Sequence, residues 1–508
     1  MLPVGKEQVR KPKTPERRVY DMAVIGGGIN GAAIAADAAG RGLSVFLCEK
    51  NDVASGTSSA SSKLIHGGLR YLEFFDLKLV RESLRERKIL LQRAPHLVYP
   101  LSFIMPDNPQ CHSPWLIRMG LFLYDFLAND KQLPSSKRIN LAELPIPSHL
   151  KKQTKGFRYA DCWGDDARLV IANLQLAKRY GANITTHTEL VEAVREGSYW
   201  LLRFNNAEEI RAKVLINATG AWVDKVNERI LPTNKLLSNL RLVKGSHIVI
   251  KRFYEGDHAF ILQNDDGRVV FVIPFQKDKV IIGTTDVMYE GSLESVSIDA
   301  EEIGYLKKSV EMYFDIEITP DSILWSYSGI RALYDSIPGK KPGKMSRDYF
   351  IQLQEIDNLP LITVYGGKLT THRCLAETVL KKLKKYYPEM SESWTKNAIL
   401  PGGETGSYQQ YFTQCQTVFP WVPLSMLKRL VQTYGSNIHA VLGNAKSIDE
   451  LGICFGLDLY EAEVNYLLKY EWAKTAEDII WRRTKLGLYL IKDEVEELKR
   501  YIPEAFHI

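Results

Sequence analysis

The sequence predicts an α/β protein with three parts: a domain on a parallel sheet, a second domain on an antiparallel sheet, and a C-terminal helical domain. A glycine-rich turn links an apolar strand to an alanine-rich helix within residues 19–40. Short apolar runs separated by turn residues recur through 240–290, which is typical of antiparallel strands. Helix-like stretches follow residue 391. With 508 residues, the chain is too long for one ordinary compact domain.

The composition is that of a globular protein with little surplus charge. Hydrophobic residues make up 45% and charged residues 25% of the chain, which argues against a disordered or fibrous protein. The formal net charge of +6 argues against dedicated nucleic-acid binding but permits anionic ligands or an anionic membrane surface. The six cysteines form no Cys-x-x-Cys pair, so we expect neither a disulfide framework nor a bound metal, and a reducing cytosol fits best.

The chain begins with a basic tail, residues 1–18, which we expect to be a flexible, solvated segment. The tail lacks the apolar core of a signal peptide, and a membrane-touching arm is the alternative interpretation. An uninterrupted apolar run of about 18 residues occurs nowhere in the sequence, so we expect no transmembrane helix.

The strongest motif follows the first predicted strand, residues 19–25. Gly26, Gly28 and Gly31 satisfy the pattern G-x-G-x-x-G, and residues 32–40 continue as a helix. Gly26 permits a tight turn, Gly28 lets the backbone approach a pyrophosphate, and Gly31 lets the helix pack closely on the strand. The free N–H groups and the dipole at the helix N-terminus suit a phosphate. The pattern predicts a Rossmann-like dinucleotide-binding unit.

The next residues narrow the choice of dinucleotide. A second apolar strand, residues 43–48, ends at Glu49, which lies 21 residues after Gly28. A carboxylate at this place accepts hydrogen bonds from ribose hydroxyls and disfavours NADP, while FAD and NAD both stay open. Residues 51–72 are rich in Ser, Thr, Ala and Gly instead of forming another strand–helix unit. Small hydroxyl residues suit a loop that wraps a diphosphate and a flavin ring, which favours FAD.

The stretch GGGINGAAIAADAAGRGLSVFLCEKNDVASGTSSASSKLIHGGLRYLE, residues 26–73, closely resembles the N-terminus of the FAD-dependent glycerol-3-phosphate dehydrogenases of the aerobic, quinone-linked bacterial type. The resemblance continues in family order along almost the whole chain, and the basic tail is the part without an expected counterpart. The matching stretches are APHLVYPL at 94–101, DCWGDDARLV at 161–170, INATGAWV at 216–223, VKGSHIVI at 243–250, VFVIPF at 270–275, IIGTTD at 281–286, YSGIRAL at 327–333, YGGKLTTHR at 365–373, LPGG at 400–403, TYGSN at 433–437 and WRRTKLG at 481–487.

The resemblance implies a reaction, its partners and a location. The implied reaction oxidises sn-glycerol 3-phosphate to dihydroxyacetone phosphate by hydride transfer from C2 to flavin N5, with the electrons passed to a membrane quinone. It also implies a homodimer in the cytoplasm, bound peripherally to lipid on the cytoplasmic face of the plasma membrane. Three alternatives are a glycerol-3-phosphate oxidase that uses O₂, a flavin-dependent amine oxidase, and a non-catalytic scaffold that retains FAD.

The resemblance and the motifs together identify candidate cofactor residues. A strand enters a turn at Thr219 and Gly220, and a second strand ends at Gly366 and Gly367, before a helix expected to run toward Lys385. A helix N-terminus aimed at a flavin would stabilise negative charge on its pyrimidine edge. The full set of cofactor candidates is Gly26, Gly28, Gly31, Glu49, Thr57, Ser58, Ser61, Ser62, His66, Gly67, Gly68, Thr219, Gly220, Gly366, Gly367 and Leu369.

A dianionic phosphate needs fixed cations and neutral donors. The resemblance places Arg70, Tyr71, Lys368 and Thr370 near the phosphate. It places Arg331 near the reacting hydroxyl, where a cation stabilises a developing alkoxide or carbonyl. An amine substrate suits such a cationic pocket less well than a dianion does.

A base is also needed near the reacting hydroxyl. His247 is the candidate, because imidazole titrates near neutral pH, although a structural histidine on a strand is an equally good interpretation. His66 is expected to pack against the flavin, and His372 is expected at the surface. Intact candidates at His247, Arg331 and Lys368 argue against the scaffold alternative.

The sequence also predicts domain boundaries. Residues 19–390 form the oxidoreductase domain, with FAD-binding parts at about 19–100, 160–240 and 355–390 and substrate-domain parts at about 101–159 and 241–354; residues 391–508 form the helical domain. Helices are expected at 424–434, 458–472 and 474–491, and residues 477–492 read as a basic amphipathic helix that packs on the FAD domain or touches lipid.

Two further segments carry predictions of their own. The apolar stretch 112–127 has the same two interpretations, packing or lipid contact. Asp161, Asp165 and Asp166 are expected to cluster at a helix N-terminus and not to bind a metal.

Overall fold

The computed structural model describes residues 19–74, 76–108, 113–143, 150–151, 154–230, 240–334 and 348–505; the predicted basic tail lies outside them. The strands are β1 (Val19–Ile25), β2 (Val45–Cys48), β3 (Leu64–Ile65), β4 (Val98–Pro106), β5 (Lys137–Asn140), β6 (Lys155–Gly164), β7 (Asn183–Thr185), β8 (Leu190–Glu196), β9 (Tyr199–Phe204), β10 (Glu209–Asn217), β11 (Leu240–Lys251), β12 (Ala259–Gln263), β13 (Val269–Phe275), β14 (Lys279–Gly283), β15 (Val287–Met288), β16 (Ile323–Tyr334), β17 (Phe350–Ile356) and β18 (Leu359–Tyr365). The helices are α1 (Ile29–Gly40), α2 (Leu77–Arg93), α3 (Pro114–Ala128), α4 (Asp166–Arg179), α5 (Val223–Ile230), α6 (Ala300–Glu311), α7 (His372–Leu383), α8 (Tyr408–Val418), α9 (Leu424–Tyr434), α10 (Ile438–Leu442), α11 (Glu461–Tyr470) and α12 (Lys492–Ala505).

The first sheet is the predicted parallel sheet. Its central strands run in the order β18-β10-β1-β2-β7 and are all parallel, with β17 antiparallel at one edge and the β8-β9 hairpin attached to β10. Alanine-rich α1 is buried against one face together with α4 and α7. Small side chains let α1 lie close to the strands, and a Cβ at Gly31 would stand only 2.0 Å from the carbonyl oxygen of Gly26. The carboxyl ends of the parallel strands therefore meet at one edge.

The second sheet is antiparallel as predicted, except for one parallel pair between β4 and β12. It includes β3, β4 and β6, so residues 64–65, 98–100 and 160–164 pair within this sheet, although the sequence analysis grouped them with the FAD-binding parts. Residues 350–354 were grouped with the substrate-domain parts, but they lie in β17, which forms a hairpin with β18 in the first sheet. Strand pairing between distant segments decides these boundaries.

The C-terminal region is helical and has a buried core of its own. The predicted helix at 424–434 is confirmed, and the one at 458–472 is shorter, at Glu461–Tyr470. The prediction of a single helix over 474–491 is wrong. A π-helical segment covers Asp478–Arg483, and the chain then changes direction at Lys485, whose φ is +60°.

Buried ion pairs explain why that last segment breaks. Arg483 is fully buried, and its guanidinium donates to the carboxylate of Asp52 at 2.8 Å. Lys485 donates to Asp165 at 2.6 Å. Buried charges need partners, and these partners belong to the first 170 residues of the chain. The basic side chains of this segment thus hold the C-terminal region against the nucleotide-binding region, so packing and not lipid contact is the correct interpretation here.

Candidate active site

A cavity of about 900 Å³ is lined by residues of both sheets. The carboxyl ends of β1, β2, β10 and β18 supply one wall, and the facing surface of β11 and β16 supplies another. The predicted site residues that line the cavity are Gly26, Gly28, Glu49, Thr57, Ser58, Ser61, Ser62, His66, Tyr71, Thr219, Gly220, His247, Arg331, Gly366, Gly367, Lys368, Leu369 and Thr370. Residues from segments more than 300 positions apart thus meet around one space.

The glycine turn after β1 forms a wall without side chains. Gly26 has a φ of +111°, and a Cβ there would stand 2.7 Å from the carbonyl oxygen of Ala218. Gly28 precedes α1, and the N–H of Ile29 in its first turn donates to the hydroxyl of Ser58 at 3.0 Å. A bare backbone turn that opens a helix is the arrangement that admits a pyrophosphate.

Glu49 stands beside this turn at the end of β2. Its two carboxylate oxygens accept from the N–H of Gly27 at 2.7 Å and from the N–H of Asn51 at 3.0 Å. Burial raises the pKa of Glu49, and these two N–H donors oppose that effect. The donors hold the carboxyl group at the cavity wall, where it can accept from ribose hydroxyls. The turn, the helix N-terminus and Glu49 together fit the adenosine diphosphate part of FAD.

The pairing of β11 with β16 places the candidate catalytic side chains on one face. His247 lies opposite Tyr327, Gly245 opposite Gly329, and Val243 opposite Arg331. Side chains alternate along a strand, so every second residue of each strand points to the same side. The guanidinium of Arg331 lies directly over Gly245, where a Cβ would stand 2.4 Å from Nη2.

Arg331 is held by a carboxylate that the sequence analysis missed. Its Nη1 donates to Asp286 at 2.7 Å and to the carbonyl oxygen of Thr285 at 3.2 Å. Arg70 lies 3.8 Å from the other oxygen of Asp286. Asp286 therefore orients two predicted cations, and its place at the end of the IIGTTD stretch, between β14 and β15, was the available signal.

His247 is buried and firmly held. Its Nε2 lies 2.8 Å from the hydroxyl oxygen of Ser62, and its ring stacks on Tyr327 with 4.7 Å between the centroids. Burial lowers the pKa of His247 well below its usual value, and the charges of Arg331 and Lys63 lower it further. The imidazole is thus neutral near pH 7, which is the form that accepts a proton.

Three of the four candidate phosphate ligands line the cavity near one another. The Nζ of Lys368 lies 3.9 Å from the ring centroid of Tyr71. The hydroxyl of Thr370 accepts from the N–H of His66 at 3.4 Å. Arg70 is not among the lining residues and reaches the site through Asp286.

Several candidates lie behind the cavity wall. Gly67 donates its N–H to the hydroxyl of Tyr124 at 2.8 Å. Gly68 has a φ of +77°, and because it lacks a side chain it leaves room for the ring of Tyr71. Gly31 supports the turn from behind. His372 is buried and not at the surface: its Nδ1 lies 2.7 Å from the carbonyl oxygen of Leu369, and burial lowers its pKa to about 4.

The three aspartates expected at a helix N-terminus divide between two places. Asp165 caps α4 by accepting from the N–H of Arg168 at 3.1 Å. Asp161 instead lies in β6, where it is buried and accepts from the hydroxyl of Tyr124 at 2.8 Å. Within the described ranges, no group of three or more His, Cys, Asp or Glu side chains is arranged to hold a metal ion.

The comparisons with known proteins agree with this geometry. Residues 21–373 match the family model of FAD dependent oxidoreductases, and residues 393–505 match that of the C-terminal domain of alpha-glycerophosphate oxidase. D-erythritol 1-phosphate dehydrogenase of Brucella abortus is 45% identical over 487 residues, which cover 94% of this chain and 97% of that protein. Aerobic glycerol-3-phosphate dehydrogenase of Escherichia coli is 44% identical over 497 residues, 95% of this chain and 97% of that protein.

A solved structure extends the agreement to the fold and the cofactor. Glycerol-3-phosphate dehydrogenase from Bacillus halodurans, solved in complex with FAD, superposes with a TM-score of 0.75 at 26% identity, covering 96% of this chain and 91% of that one. FAD is thus the cofactor that the cavity accommodates. The chain belongs to the FAD-dependent oxidoreductases, and within them to the group that contains the aerobic glycerol-3-phosphate dehydrogenases.

Proposed function

We propose that this protein oxidises the C2 hydroxyl of sn-glycerol 3-phosphate and so forms dihydroxyacetone phosphate. The observation that carries the proposal is that Arg331, Lys368 and a neutral His247 line the same cavity as the glycine turn and Glu49. Lys368 suits a dianionic phosphate ester, Arg331 suits the charge that develops on the reacting oxygen, and a neutral imidazole suits proton removal from an alcohol. FAD, when bound, supplies the two-electron acceptor for this chemistry.

Each side chain has a separate task in this proposal. Lys368 binds the phosphate as a point charge, and Tyr71 and Thr370 add neutral hydrogen bonds; Arg70 contributes through its field and through Asp286. Arg331 stabilises the negative charge that develops on the substrate oxygen. His247 accepts the proton of the C2 hydroxyl. The glycine turn and Glu49 bind the cofactor, so a variant at Arg331 or His247 should keep its FAD.

A second substrate has specific support. The Brucella abortus relative, at 45% identity, is a D-erythritol 1-phosphate dehydrogenase. D-erythritol 1-phosphate combines the same two features, a phosphate monoester and secondary hydroxyl groups, so the site described above suits its chemistry as well. The two substrates differ by one CH(OH) unit, and a site that hydrogen-bonds this hydroxyl would discriminate between them far more strongly than a pocket that contacts only its carbon.

Anaerobic mixing tests both candidates. We expect the oxidised flavin absorbance of the purified protein to bleach on addition of glycerol 3-phosphate and to return on addition of a soluble quinone. A larger second-order rate constant for bleaching with D-erythritol 1-phosphate would instead identify that compound as the substrate. Rapid recovery in air with formation of peroxide would favour an oxidase. The proposal would be contradicted if the purified protein contains FAD but neither glycerol 3-phosphate nor D-erythritol 1-phosphate bleaches the flavin absorbance.

A quinone acceptor would require contact with lipid, and α3 offers a suitable surface. Its apolar side chains Trp115, Leu116, Met119, Phe122 and Phe126 are between 48% and 71% exposed and recur at helical spacing. Exposed lysines at 131 and 137 lie next along the chain. Apolar and aromatic side chains with basic neighbours favour an anionic lipid surface. We propose peripheral binding to the cytoplasmic face of the plasma membrane through α3; the homodimer stays a prediction from the resemblance.

Charge on α3 should abolish this binding. We expect the double variant Phe122→Glu/Phe126→Glu to lose at least about a hundredfold in affinity for anionic vesicles, because two aromatic side chains each contribute about 1.5–3 kcal/mol on burial. Cosedimentation with vesicles measures the affinity, and reduction of a soluble quinone should be unchanged. Leu424→Glu/Ile491→Glu, at two residues that are 60% and 63% exposed, is the matched control. Equal loss in both double variants would contradict a role specific to α3.

Among the helices that the structure describes, none combines the length and the apolar character that a membrane span needs.

A further inference from the structure

Residues 49–55 form a loop that follows β2 and packs on the glycine turn. Glu49 accepts from the N–H of Gly27 at 2.7 Å, and the N–H of Ala54 donates to the carbonyl oxygen of Gly27 at 3.1 Å. Both backbone polar groups of Gly27 are thus bonded to this loop. The loop residues that line the cavity are Glu49, Lys50, Asn51, Ala54 and Ser55. The position of the loop therefore decides the shape of one wall of the cavity that accommodates FAD.

Asp52 lies behind this wall. It is 2% exposed and is not among the residues that line the cavity. Its carbonyl oxygen accepts from the N–H of Ser55 at 3.2 Å, so Asp52 begins the tight turn of the loop. A buried carboxylate is costly unless it is paired. The carboxylate of Asp52 accepts from the guanidinium groups of Arg482 and Arg483, which both belong to the C-terminal region.

Arg483 is anchored on its own side as well. Its side chain is fully buried, and its Nη2 donates to Asp52 at 2.8 Å and to the carbonyl oxygen of Glu471 at 2.6 Å. Burial alone would raise the pKa of Asp52, but the charges of Arg483 and Arg482 overcome this effect and hold that pKa below its usual value. Asp52 is therefore ionised at neutral pH, and without Arg483 its buried charge would have Arg482 alone.

We propose that Arg483 is a positioning residue for the cofactor: through Asp52 it holds residues 49–55 against the glycine turn, so that the C-terminal region keeps FAD in its cavity. This inference rests on FAD as the cofactor and not on the choice of substrate. The pair acts by disfavouring open positions of the loop in which Glu49 and Gly27 are apart. The affinity for FAD falls with the fraction of molecules in which the loop is closed.

Release of FAD from the purified holoenzyme, without substrate, measures this effect. The fluorescence of the released FAD after dilution gives the rate. We expect Arg483→Met to release FAD faster by at least about tenfold, which corresponds to about 1.4 kcal/mol. Asp52→Asn should have a similar effect. The double variant Asp52→Asn/Arg483→Met should release FAD no faster than the faster single variant, because each substitution removes the same contact.

Arg429→Met is the matched control. Arg429 on α9 donates to both carboxylate oxygens of Glu463 on α11 at 2.7 Å, and Glu463 is buried. This substitution also leaves a buried carboxylate without its arginine, so it should lower the thermal unfolding midpoint as Arg483→Met does. The pair lies within the C-terminal region and away from residues 49–55, so the rate of FAD release should stay within about threefold of the wild type.

Hydrogen exchange gives a readout that a merely structural role would not move. Coupling between two sites is reciprocal, so FAD must stabilise the contact of Arg483 if this contact stabilises bound FAD. We expect the backbone amides of residues 478–486 to exchange more slowly in the holoenzyme than after removal of FAD, and those of α9 to exchange at an unchanged rate. In Arg483→Met the effect of FAD at residues 478–486 should disappear.

Four outcomes overturn the proposal. They are a release rate in Arg483→Met within about threefold of the wild type, equally fast release from Arg429→Met, multiplied effects in the double variant, or exchange at residues 478–486 that does not depend on FAD. The last measurement needs only the wild-type protein, so it decides the question even if Arg483→Met does not fold. All of these measurements are made without substrate, so their results do not depend on which substrate the enzyme oxidises.

Discussion

Replacement of Arg331 by methionine is expected to slow reduction of the flavin by glycerol 3-phosphate by a factor of about 10²–10³. The guanidinium lies on the cavity-facing side of β16, and Asp286 and Thr285 orient it. A fixed donor aimed at developing charge costs no reorganisation during the reaction, whereas water that replaces it must reorient. Methionine keeps much of the volume but removes the charge and every donor.

Three measurements separate this effect from a loss of structure. Flavin absorbance per protein should stay at the wild-type value, because the glycine turn and Glu49, which we propose as cofactor ligands, are unchanged. Arg331→Lys should show an intermediate rate, since a lysine retains the charge but not the planar fork. Arg195→Met is the control at an exposed arginine that pairs with Asp357 at 3.2 Å on the surface. A reduction rate within about threefold of the wild type in Arg331→Met would remove Arg331 from the chemistry.

Replacement of Gly31 by alanine is expected to abolish FAD binding. The added Cβ would stand 2.0 Å from the carbonyl oxygen of Gly26, a backbone atom that cannot rotate away. Either α1 must move outward or the turn at Gly26 must open, and both changes destroy the wall that faces the pyrophosphate. We expect a colourless protein and a free energy of unfolding lower by about 1–3 kcal/mol, the usual cost of forced overpacking.

Gly304→Ala is the matched control for this prediction. Gly304 lies within α6, and a Cβ there would meet nothing within 4 Å. Alanine should stabilise that helix by up to about 1 kcal/mol and leave FAD binding unchanged. The ratio of flavin to protein absorbance and the thermal unfolding midpoint measure both variants. A Gly31→Ala protein that is yellow and as stable as the wild type would contradict the packing argument.

Local patterns predicted the nucleotide-binding half well. The strand at 19–25, the glycine turn and the carboxylate at Glu49 lie within a short stretch of chain, where the spacing of residues is also their geometry. The antiparallel character of the second sheet was likewise visible in the alternating apolar runs and turns. The boundaries between the FAD-binding and substrate-domain parts were less predictable, because β3, β4 and β6 join the second sheet by pairing with distant strands.

The segment 474–491 shows where a local pattern is insufficient. Its spacing of apolar and basic residues is helical, yet the chain departs from a regular helix there and turns at Lys485. Arg483 and Lys485 pair with Asp52 and Asp165, more than 300 residues earlier in the chain. Leaving either charge buried without its partner would cost more than the small preference of a few residues for continuing a helix.

The sequence alone predicted FAD, through the glycine turn, the loop rich in small hydroxyl residues and the family resemblance, and the resemblance named the candidate side chains for the chemistry. Only the tertiary structure decided which candidates meet. The contact of Ser62 with His247 spans 185 positions, and that of Arg331 with Asp286 spans 45. The first contact depends on Asp166 and on the pairing of β3 with β6, which place the loop of Ser62. The second depends on the register of β16 and β15 against β11, and register is determined by the burial of whole strands and not by the residues that form the site.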